Sequence, residues 1–221
     1  KMRAVRLIGT TDISNEQWLA ARRQGVGGSD ISAIVGRNPW KSALDVYLEK
    51  LEEIAPVEAN EKIAWGNILE PEIDEEYAKR TGRKIERVKA ILQHPETNRL
   101  IKEEDQGILE IKTSGYHKAW ENGIPEHYIL QVQWYMYVTG LDYAYFAALV
   151  GGNKLVMPEM VKRDEELIGM MCQLAGQFWE RLKNRIPPEP DGSKASTEIL
   201  KKLYPQAKRI ESIKLPDEAL T

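Results

Sequence analysis

Apolar residues recur at helical spacing in seven stretches of this chain, which are bounded by residues that begin or end helices. The predicted helices cover residues 18–24, 29–35, 42–51, 61–80, 125–138, 165–185 and 197–204. Ser14, with Gln17 three residues later, has the spacing of a capping box before the first helix. Pro71 predicts an interruption of the fourth, because proline lacks the backbone N–H that a helix interior uses.

Four other stretches favour β-strands through apolar runs or alternation, namely residues 85–93, 100–112, 143–150 and 154–160. Residues 55–60 are predicted to form a loop. The order of helices and strands predicts an α/β fold, with a core of mixed strands flanked by helices. The proline-rich stretch 187–193 is typical of a linker. We therefore expect one domain over residues 1–186, with the linker and a short helix (residues 187–221) packed on it.

Composition narrows the class of protein. The single cysteine, Cys172, excludes an internal disulfide and a four-cysteine zinc or iron–sulfur site within one chain. No apolar run reaches the length of a membrane span, and the first residues do not resemble a secretory signal, so we expect a cytoplasmic protein without a membrane partner. The net charge of -3 counts mildly against a nucleic-acid binder. It remains compatible with a nuclease, which needs only a local basic track.

The tetrad Glu110-Ile111-Lys112-Thr113 is the strongest chemical signal in the chain. Alternate residues of a strand face the same side, so Glu110 and Lys112 are predicted to point together while Leu109 and Ile111 point into a core. A carboxylate beside an ammonium can hold a metal ion and an attacking water, which suits phosphodiester hydrolysis. The same residues are compatible with an ordinary strand that carries an exposed ion pair.

Two helical segments can add to this pair. Glu70 can bring a second carboxylate from a helix towards the end of the strand, although an isolated glutamate is also typical of a solvated helix face. Gln131 and Tyr135 are four residues apart and share a helix face. They can orient the lysine or contact a phosphate, and the alternative is simple helix packing.

Two further segments have the chemistry of DNA contacts. Arg22 precedes the glycine-rich stretch 25–30, where Ser29 lies near the N–H groups at the start of a predicted helix. The alternative is a plain corner between two helices. Trp40 can stack on a base and Lys41 can meet a backbone phosphate, and the alternative is a core tryptophan beside a solvated lysine.

In this order, the segments resemble the YqaJ-type viral recombinase nucleases, which are related to phage lambda exonuclease within the PD-(D/E)XK superfamily. The resemblance extends from about Trp18 to Gly152 and is carried by Arg22 and by residues 27–30, 38–40, 66–71, 110–113 and 131–133. It implies a restriction-endonuclease-like core, in which helices flank a central mixed β-sheet.

The resemblance also implies an activity and partners. The activity is 5′-to-3′ digestion of linear double-stranded DNA with Mg²⁺, or Mn²⁺ in its place. This digestion yields 3′ single-stranded tails for phage recombination by strand annealing. The implied partners are double-stranded DNA ends, a single-strand annealing protein and further copies of the chain in a homotrimer. The implied location is the cytoplasm of a bacterial host cell.

Roles carry over by position. Near the metal, the resemblance implies Glu110 and the Ile111 carbonyl as ligands and Lys112 as the group that positions the attacking water. It also implies that Glu70 acts beside the metal and that Gln131 supports the lysine. Arg22 and Ser29 fall at the spacing of the family's pocket for the 5′-phosphate of a DNA end.

One departure concerns the third metal ligand. The family has an aspartate upstream of the catalytic strand, and Asn98 stands at that position here. An amide is neutral and binds Mg²⁺ more weakly than a carboxylate does, and Asp105 is a fallback ligand. A catalytically impaired DNA-end-binding module is therefore one alternative. Another nuclease of the superfamily, such as an endonuclease, is the other.

Overall fold

The computed structural model describes residues 4–54, 60–93 and 107–203. The predicted loop 55–60 and strand 100–112 therefore lie partly outside the described residues, and Asn98 and Asp105 lie outside them entirely. Within these ranges the helices are α1 Asn15–Arg23, α2 Gly28–Ile34, α3 Ala43–Lys50, α4 Glu61–Thr81, α5 Glu126–Thr139, α6 Glu165–Lys183 and α7 Lys194–Leu203. The strands are β1 Val5–Gly9, β2 Ala90–Gln93, β3 Ile108–Ser114, β4 Tyr143–Val150, β5 Lys154–Val156 and β6 Val161–Lys162.

Local signals set most helix ends. The predicted capping box is confirmed, since the Gln17 N–H donates to Ser14 Oγ and the Ser14 N–H donates to Gln17 Oε1. The predicted interruption at Pro71 is wrong, because α4 continues through it. Ile73 and Tyr77, which follow the proline, are buried against the sheet. Their burial outweighs the missing backbone hydrogen bond.

The main sheet is mixed. Strand β3 runs parallel to β4, with Glu110 opposite Phe146 and Lys112 opposite Ala148. Strands β5 and β6 both pair antiparallel with β4, while β1 and β2 form a separate antiparallel pair. The predicted strand 154–160 ends early at Val156. Pro158 follows closely and has no N–H to give to a ladder.

Helices cover both faces of the main sheet. On one face, Ile73 and Tyr77 of α4 pack with Ala147 of β4. On the other, Val132 and Met136 of α5 pack against the alternate residues of the same strand. Helices α2 and α6 lie beyond α5, against Leu130 and Trp134. The predicted α/β class, with a mixed sheet flanked by helices, is confirmed.

The C-terminal helix packs on the helical layer. Ile199 of α7 is buried in a cluster with Leu44 and Leu48 of α3. The proposed division of the chain at residue 186 stays a prediction. In the part of the chain that the structure describes, no helix is both long and apolar enough to cross a membrane.

Candidate active site

Strand β3 separates its polar and apolar side chains, as the alternation predicted. Leu109 and Ile111 pack with the α4 cluster. Glu110 and Lys112 lie on the other face, beneath α5, where Lys112 Nζ is 2.6 Å from Glu110 Oε1. The two side chains are only 15% and 19% exposed respectively. The pair is therefore partly desolvated, and its interaction is stronger than that of an exposed surface pair.

Gln131 of α5 joins both members of this pair. Its Oε1 accepts a hydrogen bond from Lys112 Nζ at 3.2 Å, and its Nε2 donates to Glu110 Oε1 at 3.0 Å. The same Nε2 lies 2.7 Å from the hydroxyl oxygen of Tyr135, one turn further along the helix. The amide thus fixes the relative positions of the carboxylate and the ammonium, and the phenol fixes the amide.

Sequence reasoning missed two residues on α5 near the ammonium, one in direct contact with it and one packed behind the first. Lys112 Nζ lies 4.4 Å from the centre of the Tyr128 ring, a distance at which the ring face attracts a cation. His127 packs between Tyr128 and Trp40, at centroid distances of 4.0 and 5.0 Å. The signal was present in the sequence, since His127 and Tyr128 precede Gln131 by one helical turn.

Burial controls the protonation of the groups around the pair. Burial, with the Lys112 charge, lowers the pKa of His127 to about 4. Burial and the Glu110 charge raise the pKa of Tyr135 to about 12, although the Gln131 hydrogen bond and Arg22 oppose them. At neutral pH the imidazole is therefore neutral and the phenol keeps its proton.

The donor set at Glu110 suits a hard divalent cation. Both contacts described above fall on Oε1, and among the described residues no donor contacts Oε2. Mg²⁺ is commonly held by one or two carboxylates together with water and substrate phosphates. Within the described ranges no group of three His, Cys, Asp or Glu side chains could hold a metal. The residues present thus supply one carboxylate of such a set.

Glu70 lies on α4, the helix that packs against the apolar face of β3. Helix α4 covers the opposite face of β3, and Glu70 is exposed there. In the described part of the chain it makes no hydrogen bond or ion pair with Glu110 or Lys112. The helix does approach the strand closely, since a Cβ on Gly66 would lie 3.4 Å from Thr113 Oγ1. The role of Glu70 beside a metal stays a prediction.

Arg22 and Ser29 do come together, beside the start of α2. Arg22 Nη2 donates to Ser29 Oγ at 2.8 Å. Its guanidinium lies 4.7 Å from the centre of the Trp18 ring, a contact that the four-residue spacing of Trp18 and Arg22 could have predicted. The Gly27 N–H is already occupied, because it donates to Asp30 Oδ2.

A buried carboxylate that sequence reasoning missed organises this region. Asp30 Oδ2 accepts from Lys50 Nζ at 3.0 Å, and Oδ1 lies 3.5 Å from Lys41 Nζ and 3.7 Å from Arg22 Nη2. Burial would raise the pKa of the Asp30 carboxyl, but these three cations hold it below its ordinary value. Asp30 is therefore ionised at neutral pH.

Trp40 and Lys41 have different environments despite their adjacency. Trp40 is 70% exposed and stands at the surface beside His127. Lys41 Nζ is held by Asp30 and Glu49 and is mostly covered. The contact of Lys41 with a DNA phosphate stays a prediction.

Comparison with known proteins shows which family and which folds this chain is similar to. The family model for the YqaJ-like viral recombinase domain matches residues 17–142. A protein of Bacillus subtilis (strain 168), called uncharacterized protein YqaJ, is 41% identical over 226 residues. That alignment covers 96% of this chain and 70% of the relative.

Solved structures share the fold. The alkaline exonuclease LHK-Exo of Laribacter hongkongensis superposes with a TM-score of 0.60 at 22% identity, covering 88% of this chain and 100% of that one. Its complex with dAMP gives 0.61, with the same identity and coverage. A phage-related exonuclease of Haemophilus somnus 129PT gives 0.50 at 13% identity, covering 81% and 96%.

Proposed function

This chain belongs to the family of YqaJ-like viral recombinase domains, and from that premise we propose that it is a metal-dependent exonuclease on linear double-stranded DNA. It digests 5′-to-3′ and yields 3′ single-stranded tails for recombination by strand annealing. The observation that carries this proposal is the contact of Glu110, Lys112 and Gln131 on one face of β3. A fold shared with solved exonucleases supports it.

Mg²⁺, or Mn²⁺ in its place, is the proposed cofactor, with Glu110, the Ile111 carbonyl and the residue at position 98 as ligands. When bound, such an ion polarises the scissile phosphate and makes hydroxide easier to form from water. Glu110 is suited to this role because its Oε1 holds the lysine while its Oε2 faces no donor among the described residues. Glu70 is proposed to act near the ion from α4.

Lys112 orients the attacking water and offsets the negative charge that develops at the phosphate. Gln131 holds the ammonium in place through a hydrogen bond of 3.2 Å, and the Tyr128 ring supports it from one side. The hydrolysis needs no covalent intermediate with the protein.

The DNA end is proposed to bind with its 5′-phosphate at Arg22 and Ser29. A guanidinium forms strong, charge-assisted hydrogen bonds with phosphate oxygens. Exposed Trp40, near Lys112 through His127 and Tyr128, is proposed to stack on a base. The related fold of LHK-Exo was solved with dAMP, which supports nucleotide binding by this class of fold. The Lys41 ammonium is paired with Asp30 and Glu49, and its contact with a backbone phosphate stays a prediction.

The proposed partners are double-stranded DNA ends, a single-strand annealing protein and two further copies of the chain in a homotrimer. They rest on the family and on no contact seen in a single chain. The proposed location is the cytoplasm of a bacterial host.

The activity is tested with Mg²⁺ on linear and covalently closed circular duplexes of one sequence, with EDTA as the control. We expect the linear duplex to be digested and the circle to stay intact. A label on the 5′ end should appear in mononucleotides before a label on the 3′ end. Nicking of the circle would instead identify an endonuclease.

A DNA-end-binding module is the second candidate function, and the observation that favours it is Asn98 in place of the family's aspartate. Asn98→Asp restores a negative ligand and is expected to raise metal-dependent cleavage at least about tenfold, because metal sites respond to ligand changes by such factors. Tight binding to DNA ends without cleavage in either protein would favour the module. Equal cleavage by both would remove position 98 from the metal site.

A further inference from the structure

Helices α2 and α5 meet at a contact that only glycine permits. A Cβ added to Gly28 would lie 2.4 Å from Cε1 of Tyr135 and 2.9 Å from its Cζ. Real carbon atoms do not approach so closely, so the Tyr135 ring occupies the space that any other residue at position 28 would fill. The ring is thus packed directly against the first residue of α2.

This contact lies between the two parts of the proposed site. On one side, Ser29 directly follows Gly28 and accepts a hydrogen bond from Arg22. On the other, the Tyr135 hydroxyl is 2.7 Å from Gln131 Nε2, which also donates to Glu110. A continuous series of contacts therefore runs from the phosphate pocket, defined here as Arg22 and Ser29, to the catalytic pair Glu110 and Lys112.

Charged residues from both parts of the proposed site affect the pKa of the Tyr135 hydroxyl. Burial is the largest cause of its raised pKa, and Glu110 on the catalytic side contributes. Arg22 and Asp30, on the side of the phosphate pocket, act on the same hydroxyl with opposite signs. The phenol is thus within the electrostatic range of both ends of the series.

We propose that Tyr135 is a positioning residue that couples occupancy of the phosphate pocket to the alignment of Gln131 and Lys112. The proposal rests on the proposed nuclease function and deepens it. A 5′-phosphate bound by Arg22 and Ser29 restrains the start of α2. The ring packed on Gly28 is restrained with it, and its hydroxyl then fixes the amide that holds the lysine. The terminal phosphate of the substrate thereby promotes the chemical step as well as binding.

Kinetics on 5′-phosphorylated and 5′-hydroxyl linear duplexes test this coupling. Tyr135→Phe keeps the ring on Gly28 and removes the bond to Gln131. We expect kcat on phosphorylated ends to fall about 3- to 10-fold, the kinetic equivalent of one hydrogen bond, while the KM preference for those ends is retained. Gly28→Ala displaces the ring and is expected to lower kcat at least as much.

Gly176→Ala is the matched control, because nothing lies within 4 Å of a Cβ at that position of α6. It should leave kcat and KM unchanged. Thermal melting of each variant separates a local effect from loss of the fold. Unchanged kcat in folded Tyr135→Phe and Gly28→Ala would overturn the proposal.

A double-mutant cycle provides a sharper test. If Arg22 and Tyr135 act through one series of contacts, the combination Arg22→Ala with Tyr135→Phe should slow phosphorylated ends little more than the worse single change. Residues that act independently would give fold-losses that multiply. Multiplying losses would therefore count against coupling, even if each residue matters by itself.

A binding measurement decides the point without any cleavage. 3-Fluorotyrosine at position 135 reports on the ring by ¹⁹F NMR in protein without added divalent ion. Phosphorylated duplex should shift this resonance more than hydroxyl duplex does, and the difference should vanish in Arg22→Ala. Equal shifts with both duplexes would overturn the coupling. Failure of the nuclease proposal would appear separately, as no digestion of linear DNA by a protein that still gives the difference in shift.

Discussion

Lys112 Nζ and Glu110 Oε1 lie 2.6 Å apart on a face of β3 that is only partly open to solvent. An exposed pair of this type contributes little to stability, and a purely structural pair needs no third group. Here a buried amide, Gln131, contacts both charges. Three polar side chains that meet on one face of β3 favour a site that acts on a ligand over a purely structural ion pair.

The role of Lys112 is tested by Lys112→Ala. We expect cleavage of linear duplex to fall at least about 100-fold, as for loss of one preorganised charge-stabilising donor, while duplex binding without added metal survives. Lys183→Ala is the control, because Lys183 is exposed on α6 and, among the described residues, pairs only with Glu180. Cleavage by Lys112→Ala near the parent rate would remove the lysine from the mechanism.

Arg22 is tested by its selectivity for the DNA end. Arg22→Ala should slow digestion of 5′-phosphorylated ends about 10- to 100-fold, the equivalent of a hydrogen bond to a charged group. Ends with a 5′-hydroxyl should be affected much less. Arg80→Ala, which removes an exposed pair with Glu76 on α4, should leave the ratio of the two rates unchanged. Equal losses on both ends would reduce Arg22 to a general backbone contact.

His127 predicts a dependence of stability on pH. Burial and the nearby Lys112 charge lower its pKa from 6.5 to about 4, so between these values the unfolded chain binds a proton that the folded chain does not. The free energy of unfolding should therefore fall as pH drops from 7 to 5, by about 1 kcal/mol after allowance for partial solvent access. Urea titrations at both pH values measure it.

His127→Phe provides the control for this pH effect. Phenylalanine keeps the aromatic contacts with Trp40 and Tyr128 but cannot bind a proton. The variant should lose the part of the pH dependence assigned to His127. The same pH dependence in parent and variant would show that other groups cause it.

At the scale of elements, sequence patterns predict the ends of a helix or strand well where local residues alone determine them. Strand β4 begins and ends at the predicted residues, 143 and 150, because a continuous apolar run between turn residues has one stable solution. Helix α1 begins at Asn15, three residues before the predicted start at Trp18, because the Ser14 cap directly precedes it. The interruption predicted at Pro71 fails because it uses a local rule where long-range packing of Ile73 and Tyr77 decides.

The candidate site is predictable to a similar extent. The alternation of β3 and the spacing of Gln131 and Tyr135 are local, and both place side chains correctly. Asp30 was missed because its cations, Lys41 and Lys50 among them, converge from separate segments. Nothing in the spacing of these residues along the chain predicts that three positive charges surround one buried carboxylate.

The face of β4 towards α5 should dominate stability. Phe146 is 1% exposed and packs with Trp120 and Val132, so Phe146→Ala is expected to reduce the free energy of unfolding by about 3–5 kcal/mol. Leu174→Ala on the outer face of α6 should cost less than about 0.5 kcal/mol. Chemical denaturation measures both. Similar losses in the two variants would contradict the assignment of the core.

At the scale of the whole molecule, net charge and proposed function have to be reconciled. A chain of net charge -3 gains no general attraction to DNA. The proposed binding to DNA therefore has to use local cations such as Arg22, and repeated engagement of one DNA end would require a further device. The proposed homotrimer would provide it, because three copies related by rotation can enclose a duplex with identical interfaces.

The trimer is tested by light scattering on the purified chain. One copy has a mass of 25.2 kDa, so the expected particle is three times as heavy. Measurements with and without linear duplex at several protein concentrations distinguish assembly in solution from assembly on DNA. A particle of single-chain mass under all of these conditions would contradict the proposal.

The parallel register of β3 with β4 ties the orientation of the proposed catalytic pair to apolar packing. A slip of β3 by one residue would exchange its two faces. Glu110 and Lys112 would then enter the cluster of Ile73 and Tyr77, at the cost of two desolvated charges. Hydrophobic residues on the opposite face of β3 thus select the register in which Glu110 and Lys112 point towards α5. A molecule in the shifted register is therefore less stable for two reasons, because it loses apolar packing and because it buries charged side chains among apolar residues.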